Sequence, residues 1–159
     1  MFSNSSILRV SLLAASLALG GCAMMPWGGS TAAAPAASAS ANTVKFRATL
    51  SSAAEVPANS SMASGSMEAS LDKGSNVLRW NLSYAGLTGP ATMAHFHGPA
   101  MPGANAGVAL PIPNAASPAT GESTLTAAQV ADLMAGKWYV NVHTAAHPGG
   151  EIRGQVVAR

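Results

Sequence analysis

The histidines of this chain fall in two short stretches, "AHFHGPAM" at residues 94–101 and "NVHTAAHPGGEIRGQ" at 141–155, and nowhere else. His95 and His97 stand two apart with Phe96 between them. On an extended strand such a pair leaves one face with backbones about 6.6 Å apart, so both imidazoles can lean onto a single ion while the phenyl ring points the other way. His143 and His147 make up the rest of the chain's four. The chemistry such a set offers is metal ligation through neutral imidazole nitrogens. The competing reading is structural, in which histidines at strand ends bond to backbone groups and hold turns. If an ion is bound, the residue types narrow its identity. Met93 and Met101 flank the His–x–His pair, and imidazole with optional thioether suits copper in either oxidation state, with zinc as the alternative. Calcium and magnesium need clustered oxygens, which these stretches lack. For the methionines, the bland alternative is gap filling in a core or loop.

Glu151 and Arg153 are also two apart. They can pair with one another, reach neighbouring backbone, or, through the carboxylate, hold the second ring nitrogen of a ligand histidine. Both read as support for the histidines rather than as catalysts. No Gly-x-Ser-x-Gly elbow, phosphate loop, HExxH or dinucleotide fingerprint occurs. The six acids, Glu55, Glu68, Asp72, Glu122, Asp132 and Glu151, are scattered, so nothing favours an enzyme.

The elements that must position these residues read as strands. "TVKFRATL" alternates Val44, Phe46, Ala48 and Leu50 against polar positions, "GSMEASLD" alternates Met67, Ala69 and Leu71, and "VLRWNLSY" alternates Leu78, Trp80, Leu82 and Tyr84. Period two with one apolar face predicts half-buried strands, and the intervening "DKGSN" predicts a hairpin turn. Further strands are expected at "TMAHFHG", "GVALPIP", "GESTLT", "KWYVNVHT" and "GEIRGQVV". One short helix interrupts them: Thr126 caps "AAQVADLMAG", with Val130, Leu133 and Met134 on one face and Gly136 as the stop. Seven or eight short strands predict an all-β fold, an antiparallel β-sandwich or barrel of about 115 residues.

Ahead of this domain, residues 1–21 read as a secretory signal, with Arg9 followed by an apolar run from Val10 to Leu19 that is too short to span a bilayer. Leu19, Gly20 and Gly21 leading into Cys22 resemble a bacterial lipobox, which makes Cys22 the lipidation site. Since Cys22 is the only cysteine, the remainder of the chain has neither disulfide nor thiolate ligand. Residues 22–42, rich in Ala, Ser, Pro and Gly, then form a flexible tether to a domain at 43–159. Ala23 follows where an Asp would resemble an inner-membrane retention signal, so the expected location is the cell envelope, as an outer-membrane lipoprotein facing periplasm or exterior. Charged residues make up 9% of the chain, with no basic run, and this excludes nucleic acid as a partner.

"FRATLSSAAEVP", "LTGPATMAHFHGPA" and "WYVNVHTAAHPGGEIRGQV" together resemble the CHRD domain, a family named from chordin and common in exported bacterial proteins. Matching positions include His95, His97, Gly98, Pro99, Asn141, His143, Thr144, Pro148, Gly150, Glu151, Arg153, Gly154 and Gln155. The resemblance implies a β-sandwich or barrel module, which in chordin belongs to an extracellular binder of growth-factor ligands. The expected architecture is immunoglobulin-like or superoxide-dismutase-like, and the alternative to a metal site is a metal-free structural or adhesion module with an envelope or extracellular protein as partner. His147 falls where the family pattern is not restricted to histidine, so a site of His95, His97 and His143 is the core expectation, with His147 and Met101 as outer candidates. The His–x–His strand is also similar to the copper-ligand strand of copper/zinc superoxide dismutase. The zinc-loop ligands and disulfide cysteines of that enzyme are missing, which argues against dismutase activity.

Overall fold

The computed structural model describes residues 42–159. The signal segment, Cys22 and the tether up to residue 41 lie outside the described residues. The elements are β1 (Thr43–Ser51), a 3-10 turn (Ser52–Ala54), β2 (Ser64–Asp72), β3 (Val77–Ala85), β4 (Ala91–His97), β5 (Val108–Ile112), β6 (Ala119–Thr124), α1 (Ala127–Met134), β7 (Tyr139–Thr144), β8 (Ile152–Gln155) and β9 (Val157–Ala158). All pair antiparallel in one sheet of order β5-β4-β7-β8-β1-β2-β3-β6, with β9 on β1. The expectation of an antiparallel all-β fold with one short helix is met, in the form of a single sheet curled into a nearly closed barrel.

The alternation read from β1 to β3 builds the core. Phe46, Ala69, Trp80 and Gly121 form one cross-strand row. Large and small residues alternate along it, and the Trp80 indole lies flat over Gly121, where a Cβ would sit 2.5 Å from Cζ2. From across the barrel Phe96 of β4 meets Trp80 edge-on with centroids 5.5 Å apart, and the Trp138 ring centroid lies 5.9 Å from that of Phe96. Aromatic surface from both ends of the sheet therefore fills the middle of the barrel.

At the β2–β3 turn, Asp72 Oδ1 accepts from the backbone N–H of Gly74 and Ser75, and Asn76 takes the left-handed conformation at φ 56°. The helix begins with a complete capping box between Thr126 and Gln129. Gln129 also donates from Nε2 to Ala109 O on β5 at 2.9 Å, so the helix that follows one edge strand covers the other. Leu133 is buried, whereas Met134, expected on the same face, is 44% exposed. A helix of eight residues presents too narrow an inner stripe to bury both.

The last expected strand is divided. β8 pairs with β7 up to Gln155, then Val156 turns inward, donates to Trp138 O at 2.8 Å and is fully buried, and β9 continues along β1. The two chains approach so closely at Gly154 that an added Cβ would collide with the Thr49 carbonyl. Gly154→Ala is therefore expected to cost about 2–3 kcal/mol by overpacking against backbone, whereas Gly89→Ala, with nothing within 4 Å of its Cβ position, is near neutral. Urea denaturation of the two variants measures the difference.

Candidate metal centre

Strands β4, β7 and β8 lie side by side, and their register sets His95 opposite Asn141 and Asn141 opposite Arg153. One step along, His97 faces Tyr139 and Tyr139 faces Gln155; one step the other way, Met93 faces His143. Ala94, Phe96, Val140 and Val142 point into the barrel, so period two sends all of these polar side chains to the outer face. That face is covered nonetheless. His97, Asn141, His143 and Arg153 are only 9%, 2%, 5% and 2% exposed, because the segments before and after these strands fold back over them.

The hydrogen bonds fix what each imidazole presents. His97 donates from Nδ1 to Ala106 O at 3.0 Å, and His143 donates from Nδ1 to Pro148 O at 3.0 Å. A carbonyl only accepts, so in each neutral ring the proton is on Nδ1 and Nε2 is a bare lone pair. Asn141 Oδ1, another acceptor, sits 3.0 Å from both of these Nε2 atoms. His95 Nδ1 lies 3.2 Å from His143 Nε2. One ring nitrogen of each of the three histidines falls within 4.8 Å of the others, an arrangement that could hold a metal ion.

An added proton is a poor alternative to an ion here. Burial pushes the His95 imidazole down from its ordinary pKa, and the neighbouring His143 and His97 push it further. Burial likewise lowers that of His143, more than its bond to Pro148 raises it, and His97 adds to the lowering.

His97 stacks on Tyr139 with centroids 4.8 Å apart and planes 3° from parallel, and the guanidinium carbon of Arg153 lies 3.4 Å from the Tyr139 ring centre on that ring. Arg153 also donates from Nη1 to Asn105 Oδ1 at 3.0 Å and from Nη2 to Ala104 O at 2.6 Å. It thus holds the 98–107 loop over the histidines and supports His97 through Tyr139. Glu151 takes no histidine as partner. Its fully buried carboxylate accepts from Ser61 Oγ at 2.6 Å, Thr88 N at 2.9 Å, Thr88 Oγ1 at 2.8 Å and Thr144 Oγ1 at 2.7 Å. Of the outer candidates, Met101 is 60% exposed on the 98–107 loop. His147 is outside the group of three and lines a cleft with Glu55 and the 56–59 segment.

Asn141, which sequence reasoning matched to the family motif without giving it a role, is the hub of the site. Its signal was present: in "WYVNVHT" it is an uncharged polar residue in step with His143 within an otherwise apolar strand. Tyr139 shares that step. Glu55, 7% exposed beside Asn141, had no such signal, because it comes from the distant segment after β1.

Glu151 generates a prediction of its own. Burial alone would raise its pKa, but the donors from Ser61, Thr144 and Thr88 outweigh burial and hold it at about 2. A folded-state value below the ordinary 4.5 means that its contribution to stability is complete above that pH and is lost as pH falls towards 2. Glu151→Gln, which turns an amide donor onto these donors, is expected to cost on the order of 3 kcal/mol and to flatten the acid limb of a plot of unfolding free energy against pH.

A family model described as the CHRD domain matches residues 46–156. Comparison with curated proteins and with solved structures finds no match. Since the matched segment runs from β1 to the inward turn at Val156 and includes every residue of the site above, the chain belongs to the CHRD domain family.

Proposed function

We propose that this is a lipid-anchored cell-envelope protein whose CHRD domain binds copper or zinc through His95, His97 and His143, in order to hold or buffer the ion. One observation carries the reading: the carbonyls of Ala106 and Pro148 take the Nδ1 protons of His97 and His143, and so aim two bare Nε2 lone pairs at the same small space as His95 and Asn141 Oδ1. Ligand histidines are commonly held in this way by a backbone carbonyl on the second nitrogen. Where His95 carries its proton on Nε2, its Nδ1 is a fourth acceptor facing Asn141 Oδ1 and the two Nε2 atoms, and a cation relieves that arrangement. The same carbonyl bonds give the alternative its support, since each ties a loop to the sheet and would also serve a metal-free interaction module. Lipid anchoring and an outer-membrane location rest on the segment "LALGGCA" and its single cysteine.

Titration of the purified protein with Cu(II), Cu(I) and Zn(II) in turn is expected to show one equivalent bound with a rise in Tm, corresponding to about 2.7 kcal/mol at a free concentration of one hundred Kd. His95→Ala combined with His97→Ala is expected to abolish both. Stabilisation by none of the ions, or an unchanged rise in the double variant, overturns the metal reading. Because His95 and His143 are held below the ordinary histidine range, protons compete late: affinity stays level as pH falls through that range and drops only at more acid pH. Cys22→Ser is expected to move the protein from the membrane fraction to the soluble one, and retention in the membrane would overturn the anchor.

A further inference from the structure

The three imidazoles leave open what completes the centre, and the orientation of one amide bears on it. Asn141 could turn either end of its side chain towards His97 and His143. With both Nε2 atoms unprotonated, the histidines alone would favour the NH2 end, which could donate to each. The amide is instead placed with Oδ1 towards them, 3.0 Å from each Nε2. Its other end faces Gly150 and Glu55: a Cβ on Gly150 would lie 2.9 Å from Asn141 Nδ2 and would collide with Glu55 Oε1. Gly150, at φ 130°, is therefore what allows carboxylate and amide to come together. Glu55 is 7% exposed, and its buried Oε1 has no partner at full hydrogen-bond geometry among the described residues, although the Asn141 amide and the Arg153 charge both act on the carboxyl. Reversing the amide would set oxygen against carboxylate oxygen. An amide NH2 turned towards a carboxylate is electrostatically favoured over one turned towards a neutral acceptor, so Glu55 prevails over the imidazoles in choosing the orientation.

The distances suit ligation. For metal–ligand bonds of about 2.0–2.1 Å, the edge of a tetrahedron is about 3.3 Å. Asn141 Oδ1 to His97 Nε2, Asn141 Oδ1 to His143 Nε2 and His95 Nδ1 to His143 Nε2 measure 3.0, 3.0 and 3.2 Å. Three of the six edges are thus close to that length already.

We propose that Asn141 Oδ1 is the fourth ligand of the centre and that Glu55, across Gly150, is the positioning residue that presents it. The inference rests on the three-histidine reading and deepens it. Three imidazoles and one amide oxygen make a closed four-coordinate site that suits a divalent ion, Zn(II) or Cu(II), and disfavours Cu(I), which seeks softer ligands.

The test compares the purified protein with Asn141→Leu, Asn141→Asp and Glu55→Gln, using Zn(II) affinity, the visible spectrum of bound Co(II) and its response to added azide. The parent protein is expected to show a four-coordinate Co(II) spectrum that azide does not change. Asn141→Leu opens a position, so its spectrum shifts with azide, its Zn(II) affinity falls about 10- to 100-fold, and its relative preference for Cu(I) rises. Asn141→Asp keeps the oxygen and stays indifferent to azide. Glu55→Gln frees the amide to reverse and follows Asn141→Leu, which provides the same comparison should the leucine variant not fold. If the parent and Glu55→Gln proteins bind Zn(II) equally and both respond to azide, the fourth-ligand assignment is overturned while the three-histidine site stands. If the parent protein binds none of these ions, both fall together.

Discussion

Strand β7 has no face left for water, and the rest of the outer architecture follows from that constraint. All six of its residues are buried. Val140 and Val142 face the barrel, so Tyr139, Asn141 and His143 must satisfy their polar atoms under loops rather than in solvent. Pro148 O, Ala106 O and the Glu55 carboxylate are brought to them by three different segments. Each loop is thereby tied to the sheet at the point where a polar atom needs it. A β-barrel with an ordinary solvated outer face would have no comparable reason to order those loops.

Of the three buried charged side chains among the described residues, Glu151 and Arg153 do not pair with each other, while Glu55 lies within the electrostatic reach of Arg153. Glu151 is stabilised by hydroxyl and amide donors from the segments before β2 and β4 and from Thr144 at the end of β7, and Asn59 Nδ2 adds a bond to its backbone carbonyl at 3.0 Å. Arg153 is neutralised by a carbonyl, an amide oxygen and the face of Tyr139. Arg153 also has the Glu55 carboxyl as a nearby counter-charge, whereas Glu151 relies on hydrogen-bond donors. Alternation along β8 puts the two residues on a shared face, yet they serve different loops on either side of the histidines.

The barrel was largely legible because its instructions are local. Phe46, Ala48 and Leu50, or Leu78, Trp80 and Leu82, announce their strands by period alone, and Thr126 with Gln129 announces the helix start. The grouping of His95, His97 and His143 was half legible: spacing put the first two on one face, but only the β4–β7 register brings His143 to them. Glu55 was not legible, since its approach to Asn141 depends on space left by Gly150, nearly a hundred positions further along. Nor was the inward turn of Val156, because "GEIRGQVV" keeps a strand pattern while the contact at Thr49 decides where that strand must change neighbours.

Among the described residues the barrel stops short of closure, and β5 and β6 are its edges. Unpaired strand edges are templates for adding a strand from another molecule, and they are where β proteins begin to aggregate. On β5 the hazard is blunted twice within five residues: Pro111 has no N–H to offer, and the carbonyl of Ala109 is already occupied by Gln129. The short helix, an interruption in an otherwise all-β chain, thus acts as a guard against self-association, protecting the edge strand that pairs directly with the strand bearing His95 and His97.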